Sequence, residues 1–217
     1  MSAPATFWPQ GTVYGTLLNF RDELDSLGDQ VNQPPYKAAP RAPVLYVKTA
    51  NTWSANGSAI PMPAHVPRVE VGASIAMVIG AQASIAGYVL VNNLSVPHAS
   101  FFRPPVKFKC LDGFLGLGSC CVPAHLAGDP AQFVIEVRIN GTLRHTVRFA
   151  GMVRSATQLL ADVSGFMALR EGDLLMLGCE GGRPLALPGE RISINAPAHE
   201  AFGTLTNTLV APAQVAA

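Results

Sequence analysis

Residues Val69 to Ile79 read VEVGASIAMVI, with Val69, Val71, Ala73, Ile75, Met77 and Ile79 at every second position. Period two is the geometry of an extended strand, whose successive side chains point to opposite faces of a sheet. That apolar face must be core. Glu70, Gly72, Ser74, Ala76 and Val78 share the other face. Ile85 to Leu94 is a second long strand. The chain is therefore committed to a sheet-based fold.

Other segments point the same way. Phe133 to Ile139, the dipeptide Asn140-Gly141 and Thr142 to Phe149 predict a hairpin around a two-residue turn. Thr12 to Leu18, Pro43 to Lys48, Asp173 to Leu177 and Arg191 to Ala196 read as strands, and Gly203 to Val210 pairs with the last of these. Arg21 to Leu27 predicts a short helix, placed within about 20–28, with Asn19 as cap and Gly28 as stop. Ser155 caps a second helix, lined on one side by Leu159, Leu160, Val163, Phe166 and Met167. Residues 29–43 and 51–67, rich in Pro, Asn, Gly and Ser, read as loops. Strands outnumber helices and are not separated by regular helices. The expected class is mainly β with few helices (α+β), in an antiparallel or mixed arrangement. Residues 1–10 read as an N-terminal extension, 11–210 as a single domain and 211–217 as a frayed tail.

Composition narrows the function classes. The net charge is +1 and no basic stripe stands out, which argues against nucleic acid. Charged residues are only 13% and hydrophobic residues 49%, which points to an exterior partly buried in an oligomer. No apolar run approaches membrane-spanning length, and MSAPATFWPQG lacks the pattern of a signal peptide. Cys110, Cys120, Cys121 and Cys179 form no CxxC pair and are expected as reduced thiols in a cytoplasmic protein. His65, His98, His125, His145 and His199 fall in different elements at no metal-like spacing.

The order AMVIG, GYVLVNNLS, RPPVKFKCLDGF, NG hairpin, SGFMAL and REGDLLMLG resembles the fumarylacetoacetate hydrolase family. PPYKAAPRAPVLYVKTANT and FFRPPVKFKCLDGF are its most specific parts, and the resemblance runs from Gly11 to Val210. It implies the mixed β-sandwich or roll of that family. It also implies a subunit of an isomerase/decarboxylase acting on 2-hydroxyhepta-2,4-diene-1,7-dioate or 5-carboxymethyl-2-oxo-hex-3-ene-1,7-dioate in 4-hydroxyphenylacetate catabolism.

In active members, the resemblance implies, Glu-x-Glu on the first long strand and Asn-Asp on the second hold Mg²⁺ or Mn²⁺. Oxygen ligands suit such hard ions, which stabilise an enolate of a 2-oxo acid. Here those positions are Gly72, Ser74 and Asn93. The family's His–Glu pair on the short helix becomes Glu23 and Ser26. Its Gly-Thr-Pro becomes Gly178-Cys179-Glu180, and a longer acidic insert is missing between Gly80 and Ala86. No metal is therefore expected on this chain; Mg or Mn is expected only on a homologous partner. What remains is cationic. Lys109 matches the family's pocket lysine, and with Glu23 it is the catalytic candidate. Arg103, Lys48, Asp112 and Asn93 are the substrate-binding candidates, suited to a 2-oxo dicarboxylate that needs cationic donors at both ends. Asp112 is also placed to order its own loop before Gly113. Two alternatives stand beside this: a metal-independent tautomerase or decarboxylase using Lys109 and Glu23, and a non-catalytic scaffold of the same fold.

Overall fold

Period-two patterning dominates the chain, and the computed structural model, which describes residues 6–102 and 105–211, is correspondingly built of sheets. Along the chain come β1 (Val13–Leu17), α1 (Arg21–Asp25), β2 (Val44–Lys48), β3 (Trp53–Ser54) and β4 (Ala59–Pro61). The long pair β5 (Val69–Ile79) and β6 (Ile85–Ser95) follows, then α2 (Val106–Lys109), β7 (Leu115–Leu117), β8 (Val122–Pro123) and α3 (Ala124–Ala127). The last third holds β9 (Val134–Ile139), β10 (Thr142–Arg148), α4 (Ala156–Ser164), β11 (Leu174–Met176), β12 (Leu185–Ala186), β13 (Arg191–Asn195) and β14 (Thr204–Val210).

Among the described residues these strands form two sheets. The larger runs β2-β1-β11-β5-β6-β7-β3, with β12 beside β5 and β8 beside β6; the smaller runs β10-β9-β13-β14-β4. Most pairs are antiparallel, while β1–β11, β3–β7 and β4–β14 are parallel. The apolar face of β5 packs between the sheets. Val69, Val71, Ile75, Met77 and Ile79 meet Ile135, Val137, Ile139, Ile192, Ile194 and Leu209 in one core. Each such side chain contributes about 1.5–3 kcal/mol on burial. The second face of β5 is buried too. The larger sheet closes over a smaller cluster of Val13, Leu17, Leu27, Ala76, Val89, Val91 and Met176.

The turn chemistry agrees with the sequence. Asn140 and Gly141 both take positive φ, 51° and 82°, as a two-residue hairpin turn requires. Ser155 accepts the Gln158 N–H and caps α4. Three expectations need correction. Asn19 does not cap α1: its amide donates to the Leu177 and Arg154 carbonyls and its oxygen accepts the Arg154 N–H, so it stitches chain segments distant in sequence. Residues 51–67 are not all loop, since β3 and β4 lie there; strands of two or three residues are too short to show a period. Phe166 does not line α4. The helix ends at Ser164, and Phe166 is exposed.

Candidate functional site

β5 and β6 pair with Gly72 opposite Asn93 and Ser74 opposite Val91. Directly opposed residues project to one face. Gly72, Ser74 and Asn93 therefore meet on the face of β5 away from the inter-sheet core. All three are buried; the Ser74 hydroxyl and the Asn93 amide nitrogen find partners inside the protein, while Asn93 Oδ1 is buried without one. Ser74 Oγ donates to the Gly178 carbonyl. Asn93 Nδ2 donates to the Tyr46 hydroxyl at 2.6 Å and lies 3.5 Å from Cys179 Sγ. The Cys179 thiol donates to the Gly72 carbonyl at 3.4 Å. At Gly72 an added Cβ would stand 2.6 Å from the Asn93 backbone oxygen and 3.1 Å from Cys179 Sγ, so glycine is required by close approach.

Tyr46 completes the closure. Its ring lies directly on Gly15, in space where any Cβ at residue 15 would stand. Burial pushes its hydroxyl well above the ordinary value, and burial likewise raises the Cys179 thiol, which is therefore neutral near pH 7. The Lys109 ammonium sits 5.4 Å from the Tyr46 ring centroid, a cation–π distance. Lys109 is buried at the end of α2, and among the described residues no carboxylate lies within ion-pair distance of it. Burial lowers its pKa; the neighbouring Cys179 opposes that shift and Arg183 adds to it.

The other sequence candidates separate. Lys48 is buried and donates to the backbone carbonyls of Leu94, Phe114 and Lys109. Burial, and then Lys109, push its pKa well down. Its donors tie β2 to β6, to the end of α2 and to the residue before β7. Glu23 is buried, accepts the Leu18 N–H at 2.6 Å and pairs with Arg183 at 2.7 Å, while Ser26 Oγ bonds back to the Glu23 carbonyl. Asp112 is exposed and accepts from Asn51 Nδ2 at 2.6 Å, so its carboxylate joins two loops; no Asx turn to its own backbone forms. It lines a different surface cleft of about 470 Å³, with Met62, His65, Lys107 and Leu111. Arg103 lies outside the described residues. The structure thus brings Asn93 and Lys109 together around Tyr46, holds Glu23 to the same centre through Arg183, and sets Asp112 apart.

Sequence reasoning did not single out Tyr46 or Arg183. Tyr46 had a signal: Val44, Tyr46 and Lys48 alternate along β2, which turns the tyrosine inward with Lys48. Arg183 follows two glycines and precedes a proline, with no period to place it. Its Nη1 lies 2.7 Å from Glu23 and its Nε 3.1 Å from Glu70, so it ties α1 to β5. Burial disfavours its charge, but Glu23, Cys179 and Glu70 more than offset that and hold its pKa above the ordinary value.

A hard divalent ion does not fit this donor set. Gly72 brings no side chain, Ser74 is committed to Gly178, Cys179 offers a soft, protonated sulfur, and the unpartnered Asn93 Oδ1 is a single neutral oxygen where a hard ion needs several, carboxylates among them. Among the described residues no three His, Cys, Asp or Glu side chains are grouped so that they could hold a metal.

The fumarylacetoacetate (FAA) hydrolase C-terminal family matches residues 12–210. The 4-hydroxyphenylacetate degradation bifunctional isomerase/decarboxylase of Salmonella dublin is 36% identical over 212 residues, 93% of this chain and 48% of that protein. The homoprotocatechuate catabolism bifunctional isomerase/decarboxylase of Escherichia coli is 33% identical over 211 residues, with coverage of 93% and 48%. The chain thus spans about half the length of these relatives. Among solved structures, fumarylpyruvate hydrolase from Pseudomonas aeruginosa, in complex with Mn²⁺ and pyruvate, superposes with a TM-score of 0.77 at 19% identity, covering 97% of this chain and 98% of that one. The 5-carboxymethyl-2-hydroxymuconate delta-isomerase from Mycobacterium smegmatis gives 0.75 at 23% identity, with coverage of 94% and 80%. At these identities the likeness is one of fold.

Proposed function

Since this chain belongs to the fumarylacetoacetate hydrolase family, we propose that it is the metal-free subunit of an isomerase/decarboxylase acting on a 2-oxo dicarboxylate. The substrates in this reading are those the family resemblance implies, 2-hydroxyhepta-2,4-diene-1,7-dioate and 5-carboxymethyl-2-oxo-hex-3-ene-1,7-dioate, and the likeness to isomerase/decarboxylases of 4-hydroxyphenylacetate degradation and homoprotocatechuate catabolism supports it. The enolate chemistry and its Mg²⁺ or Mn²⁺ belong, in this reading, to a homologous partner about as long as this chain, in a cytoplasmic assembly. This chain contributes the interface and the shape of the complex. The observation that carries the reading is the donor set of the cleft: Ser74 is committed to the Gly178 carbonyl, Cys179 to the Gly72 carbonyl and the Asn93 amide nitrogen to Tyr46, which leaves the neutral Asn93 Oδ1 unpartnered and supplies no carboxylate.

A second reading is favoured by Lys109, a buried lysine of lowered pKa, the character of a group that can work as a neutral base. It makes the chain a metal-independent tautomerase or decarboxylase. One experiment separates the two. The chain is purified alone and after co-expression with the proteins of its own genome that bear Glu-x-Glu and Asn-Asp on the corresponding strands. Turnover of the dioate substrates only in the co-purified complex, abolished by chelator, supports the subunit reading. Chelator-insensitive turnover by the chain alone, lost in Lys109→Met, overturns it.

A further inference from the structure

We propose that the cation of this cleft has been internalised: Arg183 serves as a tethered substitute for a divalent ion, holding the carboxylates of Glu23 and Glu70 together. Glu23 is buried, and Glu70 is partly so. Two carboxylates gathered on one side chain repel each other unless a positive charge lies between them. Arg183 places Nη1 at 2.7 Å from Glu23 Oε1 and Nε at 3.1 Å from Glu70 Oε2. Among the described residues it is the one basic side chain within ion-pair distance of either acid. A planar fork with two directed donors suits such bridging better than an ammonium does.

The surrounding chain is built to deliver that guanidinium. Gly182 takes a positive φ of 63°, which turns the segment before Pro184 inward. The Gly181 N–H donates to Asp22 Oδ2 at 2.8 Å, pinning the segment to α1 beside Glu23. β12 then pairs with β5 at Leu185–Glu70, which fixes the far side of Arg183 next to Glu70. Three elements, α1, β5 and the segment leading to β12, are thus joined through one side chain. Lys109 cannot do this work: it lies over Tyr46, away from ion-pair reach of either acid. Removing the guanidinium would leave two carboxylates facing one gap, the oxygen donors that Mg²⁺ and Mn²⁺ take.

The inference rests on the reading that the native chain holds no metal, and the test keeps the two apart. Thermal unfolding is followed for the native chain, Arg183→Met, Arg183→Lys and the double variant Arg183→Met/Glu23→Gln, with EDTA and with millimolar Mn²⁺. Arg183→Met is expected to melt about 6–20 °C lower than the native chain in EDTA, the scale for a broken buried ion pair in a domain of this size. Arg183→Lys should fall less, because it keeps the charge. Mn²⁺ should raise the melting point of Arg183→Met and leave the double variant unmoved. Equal melting points for Arg183→Met and the native chain, or no Mn²⁺ response in Arg183→Met, would overturn the proposal. If Arg183→Met does not fold alone, refolding with and without Mn²⁺ reads the same claim: soluble recovery only with Mn²⁺ supports it, and recovery with neither overturns it. A Mn²⁺ response of the native chain would strike instead at the metal-free reading of the cleft.

Discussion

The two faces of β5 share one backbone and are held by different physics. Toward the second sheet, Val71, Ile75, Met77 and Ile79 sit in an apolar core where any close-packed aliphatic group would serve. Toward α1, Glu70, Gly72 and Ser74 sit in a polar interior where each atom has one workable partner: Arg183 for Glu70, the Gly178 carbonyl for Ser74, close backbone and Cys179 for Gly72. The first face tolerates exchange and punishes loss of volume. The second punishes added volume and unpaired charge. This second face is closed by specific polar partners and by close approach at Gly72.

The largest effect should come from the apolar face. Ile75→Ala leaves a void between the sheets and is expected to cost about 2–5 kcal/mol, read by urea unfolding. A cost under half a unit of that scale would show that the two faces do not differ in the way described. On the polar face, Gly72→Ala should cost about 1–3 kcal/mol although it adds a single methyl, because Asn93 O and Cys179 Sγ already occupy its space. A neutral Gly72→Ala would mean that the cleft is looser than its contacts. Ser74→Ala, which removes one buried hydroxyl and strands the Gly178 carbonyl, should cost about 1–3 kcal/mol by the same measurement, at the lower end of that range.

The smallest effect has the opposite sign. Burial disfavours the charge on Lys109, so Lys109→Met is expected to be neutral or stabilising, by about 1 kcal/mol near pH 7. The pH dependence follows from the direction of the shift. Lys109 has a folded pKa below 10.5, so between the two values the unfolded chain binds more protons and native stability rises with pH. The advantage of Lys109→Met over the native chain should therefore shrink as pH climbs toward 10.5. Tyr46 and Cys179, whose raised values cost stability at high pH, act in both proteins; Lys109→Met also removes a charge that holds the Cys179 thiol down, which shrinks the advantage further as pH climbs. An advantage that grows with pH would show that Lys109 is not a buried, disfavoured charge.

The same contrast explains what could be read from the sequence. Period two placed β5 and β6 and their core face, and the Asn140-Gly141 turn and the Ser155 cap are local chemistry visible in a few consecutive residues. β3 and β4 are too short for periodicity, and Asn19 looks like a cap because its tertiary partners, Leu177 and Arg154, lie far away in sequence. In the candidate site the shared face of Gly72 and Ser74 was legible from period two. What filled the space was not: Tyr46 and Arg183 arrive from separate elements, and only the folded chain sets them against residues 15, 23 and 70.

The central claim is that the polar face of β5 is closed to a metal ion, and calorimetric titration of the native chain with Mn²⁺ tests it most directly. No saturable site is expected at micromolar concentrations, because Gly72, Ser74 and Asn93 offer no free carboxylate. One equivalent of Mn²⁺ bound with micromolar affinity, and lost in Asn93→Ala, would contradict it.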